Sequence, residues 1–172
     1  MKPGASSAST AAIASAADMI VNQQALLNAA PITDMMGAKL RLHGVSYGLS
    51  EAGYDIRIKQ DVVLHPLRRF VLASTIEHFQ MPDDLVGVVH DKSTWARRKL
   101  SVFNTVIESG WFGFLTLELI YHGWKPLRIA AGSGIAQVLF HPQSAHFDDG
   151  VLHLVPPRSL RKDAHARPGS SS

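Results

Sequence analysis

Three short stretches of this chain carry side chains capable of chemistry at a spacing that a fold could use. The first holds Glu118, a carboxylate inside the apolar run Phe114–Tyr121. In an extended strand, alternation puts Thr116 and Glu118 on one face and Leu115, Leu117 and Leu119 on the other. Burial disfavours an ionised carboxylate and so suits a group that takes up and releases a proton. The plainer reading is a strand whose Glu118 face is wet. The second stretch is Lys92 to Arg98, where Ser93 and Arg97 lie one helical turn apart. A hydroxyl and a guanidinium so spaced can address one oxyanion, and Lys92 adds positive charge beside them. A capped surface helix with a solvated basic face accounts for the same residues. The third runs from Ala131 to Val138: Gly132 and Gly134 permit a tight turn into a strand, and Gln137 is one amide among apolar neighbours. A simple hairpin turn would need no more.

Several chemistries are excluded by what the chain lacks. None of the 172 residues is cysteine, which removes disulfides, thiol nucleophiles, iron–sulfur clusters and thiolate zinc sites together. The nine histidines show no pairing at metal-ligand spacing, so no protein-held metal is expected. Ser, His and Asp are present, but no nucleophile elbow frames a serine. The charge of +3, from 17 Lys/Arg against 14 Asp/Glu, is too small for a nucleic-acid binder and suits a pocket for a small polyanion. No apolar run of about eighteen residues is present, so no membrane span is expected. The Ala/Ser-rich opening lacks the apolar centre of an export signal, and the cytoplasm is the expected location.

The elements that must position these groups are mainly β. With 46% apolar and 18% charged residues the chain can fill a core. Residues 1–10 read as a loose lead, 11–155 as one domain, and 156–172 as a flexible basic arm. An Ala-rich helix is predicted from Thr10 to Ala30, where Pro31 stops it. Ten short β-like runs come after it: Lys39–Leu42, Tyr54–Ile58, Val62–Leu64, Phe70–Ser74, Leu85–Val89, Val102–Asn104, Phe114–Tyr121, Leu127–Ile129, Ala136–Phe140 and Val151–Val155. Their close spacing argues for a sandwich or barrel rather than alternating βαβ units. One short helix interrupts them, Ser93–Arg98, opened by a residue suited to a helix start.

The order of these segments resembles the dCTP deaminase branch of the dCTP deaminase/dUTPase superfamily. The residues that carry the likeness are Gly53 to Ile58, Met81 to Gly87, Lys92 to Arg97, Ile107 to Gly113, Leu117 to Leu119 and Gly134 to Gln137. The resemblance implies a distorted β-barrel or jelly-roll of the dUTPase-like type, assembled as a homotrimer with deoxynucleoside triphosphate sites between subunits. It also implies Mg²⁺ carried by the triphosphate, and no zinc. Ser93 and Arg97 match the family's phosphate- and water-site residues, Lys92 stands where the family usually has Arg, and Gln137 matches a phosphate-contacting Gln. Glu118 matches the catalytic glutamate of the deaminases. Thr105, Val106 and Glu108 fall in and beside the hairpin that reads the base in the family. That hairpin is shortened here, Glu108 replaces the usual Asp, and Arg98–Lys99 replaces an apolar–Gly pair.

The chemistry implied is zinc-independent hydrolytic deamination of dCTP to dUTP and ammonia. Well-known cytidine deaminases take their activated water from a thiolate-held zinc, which a chain without cysteine cannot build. A carboxylate base, Glu118, aided by Ser93 and Arg97, would replace it. Two alternatives stay open on the same fold. One is a dUTP or dCTP pyrophosphatase, or an enzyme doing both reactions, with water positioned by Glu108 or Asp55. The other is a trimeric nucleotide-binding protein without turnover.

Overall fold

A computed structural model describes residues 20–143, 145–148 and 151–154. Helix α1 (Gln23–Ala29) comes first, followed by strands β1 (Lys39–Leu42), β2 (Val45–Leu49), β3 (Tyr54–Arg57), β4 (Val62–Leu64), β5 (Phe70–Gln80) and β6 (Leu85–Asp91). The single-turn helix α2 (Ser93–Ala96) then leads into β7 (Leu100–Val102), β8 (Val106–Ile107), β9 (Phe112–Tyr121), β10 (Leu127–Ile129) and β11 (Gly134–Pro142). Two further strands, β12 (Ala145–Asp148) and β13 (Val151–Leu154), pair with each other. The architecture is mainly β, as the spacing of apolar runs predicts.

Two sheets carry the structure. The larger has six strands in the order β1-β2-β3-β11-β6-β8, and the smaller has three in the order β5-β9-β7. All their pairings are antiparallel. Period-two burial turns one face of each inward: Tyr54, Ile56, Val89, Val138 and Phe140 from the first meet Leu115, Leu117, Leu119, Ala73 and Val102 from the second. This apolar layer is the core, and Gln137 and Glu118 lie on faces turned away from it. The sheets are also tied by charge: Glu77 on β5 accepts from the Arg57 backbone N–H and from its Nε, both at 2.7 Å. Gly134 lets β11 enter close to β2, because a Cβ there would lie 2.0 Å from the Ser46 carbonyl oxygen.

The N-terminal helix is shorter than its composition predicts. Val21 donates to the Phe140 carbonyl at 2.8 Å in an isolated β-bridge, so the chain is extended there and α1 begins only at Gln23. Tertiary pairing with the edge of the core overrides the helical propensity of this stretch. The part of the predicted helix before residue 20, the leading residues 1–10 and the basic arm 156–172 lie outside the described residues.

Several strands are longer than their apolar centres: β5 continues to Gln80 and β9 begins at Phe112. A register shift between Ser74 and His78 lets β5 run on. There the buried Thr75 hydroxyl donates to the Glu77 carbonyl and accepts from the Leu115 N–H. Strands β2, β8 and β12 have no counterpart among the predicted runs.

Candidate active site

The Gly53–Ile58 stretch splits its residues between two environments. Tyr54, Ile56 and Ile58 are core residues, and the Tyr54 hydroxyl accepts the Met36 N–H at 3.0 Å. Asp55 points to the opposite face of the six-stranded sheet. Directly paired residues of antiparallel strands share a face. Lys39, Gly48, Asp55, Gln137 and His90 are paired in turn across five strands and so form one polar row. One step along, Arg41 and Ser46 form a second pair on that face.

Lys92, two residues after His90 on the same face, closes this cluster. Its Nζ lies 2.5 Å from Asp55 Oδ2 and donates to the Ser46 hydroxyl at 3.2 Å, while Ser46 donates to the same carboxylate oxygen at 3.1 Å. The side chains of Lys92 and Asp55 are only 9% and 2% exposed, so this is a shielded ion pair. Burial pulls the Lys92 ammonium below the usual lysine range, Asp55 opposes the fall, and the charge of Lys39 adds to it. The resemblance implies a phosphate contact for Lys92. The structure commits two of its three N–H donors inside the chain, leaving one for a ligand.

Lys92 is also the residue immediately before α2. Trp95 anchors that turn by burial and by donating from Nε1 to the Gly134 carbonyl at 2.7 Å. Arg98 lies over the Trp95 ring at 5.0 Å. Ser93 and Arg97 are thereby displayed on the exposed side of a pinned turn, with no side-chain hydrogen bond or ion pair among the described residues. Gln137 is half-buried, and its Nε2 donates to Ser50 Oγ at 2.9 Å. Lys99, where the sequence resemblance implies a Gly, takes a φ of 65°, a left-handed conformation that favours glycine.

Glu118 lies elsewhere. Strand β9 alternates as its sequence predicts, with Leu115, Leu117 and Leu119 buried and Thr116 and Glu118 exposed. Glu118 therefore sits on the outer face of the three-stranded sheet, opposite Leu72, and its carbonyl accepts the Phe103 N–H at 3.0 Å. It is not shielded within a single chain. Around it the face is apolar: Phe70 is 50% exposed, Leu72 55%, Phe112 67% and Phe114 47%. Thr105, Val106 and Glu108 are exposed in the connection that runs from β7 through β8.

The structure thus places Lys92 beside the row that holds Gln137, with Ser93 and Arg97 on the turn that follows it, and puts Glu118 on the other sheet. In the β7–β9 ladder Leu100 faces Tyr121 and Val102 faces Leu119. Glu118 is one residue beyond that pairing, about 10 Å along the strand from the Leu100–Tyr121 pair at roughly 3.3 Å per residue. No hydrogen bond or ion pair joins its carboxylate to Ser93 or Arg97 among the described residues. Asp55, Ser46 and Ser50 complete the polar cluster. The alternation of Tyr54, Asp55, Ile56, Arg57 and Ile58 is the sequence signal that puts Asp55 on a non-core face. No group of three or more His, Asp or Glu side chains among the described residues could hold a metal ion.

Comparison with known proteins places this arrangement. The dCTP deaminase-like family model matches residues 51–143, which span the polar row, α2 and β9. The chain is 34% identical over 151 residues to the dCTP deaminase of Campylobacter hominis, covering 72% of this chain and 79% of that protein. The chain belongs to the dCTP deaminase-like family. The dCTP deaminase of Herpetosiphon aurantiacus is 39% identical over 124 residues, 56% of this chain and 67% of that protein. Among solved structures, the dUTPase of Staphylococcus bacteriophage 80alpha superposes with a TM-score of 0.51 at 20% identity, covering 66% of this chain and 88% of that one. The dUTPase of phage phi11 of S. aureus, described with a structural Mg(II) ion, gives 0.51 at 19% identity with the same coverage. These likenesses establish the dUTPase-like fold that the sequence resemblance implies. No helix among the described residues is long and apolar enough to cross a membrane.

Proposed function

We propose that this chain is a dCTP deaminase that hydrolyses Mg²⁺-bound dCTP to dUTP and ammonia without zinc. The observation that carries the reading is Glu118: a carboxylate with no partner among the described residues, displayed on an apolar strand face inside the matched family region, where the sequence resemblance implies the catalytic glutamate. Relatives named dCTP deaminase at 34–39% identity support it. The phosphate end comprises Gln137 and the remaining donor of Lys92, with Ser93 and Arg97 at the water. The base end comprises Thr105, Val106 and Glu108 with Glu118 itself.

In this mechanism the Glu118 carboxylate takes a proton from water as the water oxygen attacks C4 of cytosine. The proton passes to ring N3, giving a neutral tetrahedral intermediate. Glu118 then moves a proton from the new hydroxyl to the 4-amino group, the C4–N bond breaks, and ammonia leaves. Ser93 and Arg97 orient the water and stabilise charge as it develops. Mg²⁺ enters as part of the nucleotide, balancing phosphate charge. Because Glu118 is exposed and has no contact with Ser93 or Arg97 within one chain, we infer that the site forms between copies in a homotrimer. The apolar face bearing Phe70, Leu72, Phe112 and Phe114 would be covered there, which also shields Glu118 from water.

The pyrophosphatase alternative needs a carboxylate free to hold a water at the α-phosphorus. Asp55 is engaged by Lys92 and Ser46, which leaves Glu108 for that role. Product analysis separates the reactions: purified protein with Mg²⁺ is given dCTP and then dUTP, and nucleotides and ammonia are quantified. Equimolar dUTP and ammonia from dCTP are expected. Monophosphate plus pyrophosphate would move the chemistry to the phosphates, and binding without turnover would make this a nucleotide-binding protein.

A further inference from the structure

Strand β1 forms one edge of the six-stranded sheet and pairs with β2 alone. His43 and Gly44, at φ of 51° and 77°, make the two-residue turn between them. Such a turn closes on a hydrogen-bonded pair, here Leu42 with Val45, and bonded and non-bonded pairs then alternate along the ladder. Leu40 therefore exchanges hydrogen bonds with Tyr47, whereas Lys39 and Arg41 turn their backbone N–H and C=O groups away from β2. The next ladder agrees with this phase. Ser50 donates to the Gly53 carbonyl at 2.8 Å, so Gly48, two residues earlier, bonds to Asp55 on β3 and leaves Lys39 unbonded. Outside the hairpin, no described residue is hydrogen-bonded to the Lys39 or Arg41 backbone, and all four residues of β1 are exposed. The hairpin also precedes residues 51–143, the part matched by the family model.

The side chains of this edge divide by face. Lys39 and Arg41 lie on one side, Leu40 and Leu42 on the other, where they are 40% and 41% exposed. The apolar side continues into Tyr47, whose ring carries the Arg57 guanidinium at 4.7 Å. Neither Lys39 nor Arg41 joins an ion pair among the described residues; the Arg41 guanidinium makes a long 3.4 Å bond to the Gly44 carbonyl. Residues directly opposite in an antiparallel ladder share a face. A strand added here is thus complementary when carboxylates oppose Lys39 and Arg41 and apolar groups oppose Leu40 and Leu42. Cations on an edge repel a like strand, so β1 of a second copy is the wrong partner. Residues 1–19 and 155–172 of the chain do not match either, since each stretch has one acidic residue, Asp18 and Asp163.

We propose that β1 is a docking edge for an extended segment of a partner protein in which acidic and apolar residues alternate, added antiparallel as a seventh strand. Backbone bonds to Lys39 and Arg41 supply affinity, and the two cations select the segment by charge. No residue of β1 is assigned to the nucleotide, so this surface stands apart from the reaction proposed above.

The probe is the end-capped, fluorescently labelled peptide Thr-Glu-Val-Glu-Val-Thr, titrated into the full chain and read by anisotropy. Saturable binding is expected, with Thr-Lys-Val-Lys-Val-Thr and the block isomer Thr-Val-Val-Glu-Glu-Thr at least about 10-fold weaker. The double variant Lys39→Glu with Arg41→Glu, its fold checked by an unchanged urea midpoint, should prefer the Lys peptide. Backbone N-methylation separates strand addition from charge attraction. The Glu N–H groups of the docked peptide face β1 and the Val N–H groups face solvent. Methylating both Glu nitrogens should therefore weaken binding about 10-fold or more, and methylating both Val nitrogens should leave it. No saturable binding of the Glu peptide to wild-type protein overturns the proposal. So does equal binding of the block isomer, or an equal response to the two methylation patterns.

Discussion

The two outward faces of this molecule are finished to different degrees. On the six-stranded sheet several polar side chains are paired within the chain: Lys92 with Asp55 and Ser46, Gln137 with Ser50. On the three-stranded sheet Glu118 stands unpaired among half-exposed Phe and Leu side chains. The first face is preorganised, so its donors need little rearrangement when an anion arrives. The second is a surface in waiting: its apolar groups favour a partner, and its carboxylate gains a dry environment only when one arrives. Under the proposed mechanism, a chain that divides its chemistry this way makes assembly a condition of catalysis.

The sharpest break in that comparison is Glu118→Gln. It keeps the shape of the side chain and removes the base, so turnover of dCTP should fall about 10²–10⁴-fold with nucleotide binding retained. Steady-state ammonia release beside a binding titration measures both. Next is Asp55→Ala, which leaves the Lys92 ammonium buried without its carboxylate and should cost about 3–5 kcal/mol of stability, read as a lower urea midpoint. Changing both residues, Asp55→Leu with Lys92→Met, should recover much of that loss, because the isolated buried charge is the source of the cost. On the opposite face, Phe112→Ser removes an exposed ring and should barely alter the fold. It should weaken association by about 2 kcal/mol if Phe112 is a centre of the interface, and sedimentation at several concentrations reads the shift to smaller species. The smallest effect is Lys99→Gly. Relief of the left-handed strain should raise stability by about 1 kcal/mol without changing activity.

Much of this was legible in the chain, for identifiable reasons. Phe114–Tyr121 alternates cleanly, so both its strand and the outward direction of Glu118 can be read from residue types. Strand β2 cannot be read that way, because Ser46, Tyr47 and Gly48 lack the composition of a core strand. Ser46 and Gly48 are small for the same reason that they matter, since they line the row beside Asp55 and Lys39. The commitment of Lys92 was illegible too: its partner lies 37 positions earlier, and only the pairing of β3 through β11 to β6 brings the two together. Composition likewise favoured a long helix up to Ala30, but Val21 is taken by the edge of the core at Phe140. Local signals set direction and period, whereas long-range pairing decided which charges were already engaged.

The central claim is that the finished face of one copy meets the unfinished face of another to form each active site. Mixing two separately inactive chains, Ser93→Ala and Glu118→Gln, tests it most directly. Random co-assembly leaves roughly a quarter of inter-subunit sites with both native residues, so ammonia release from dCTP should return to about that fraction of the wild-type rate. A mixture that assembles fully and stays inactive would contradict the account and place both groups in a site within one chain.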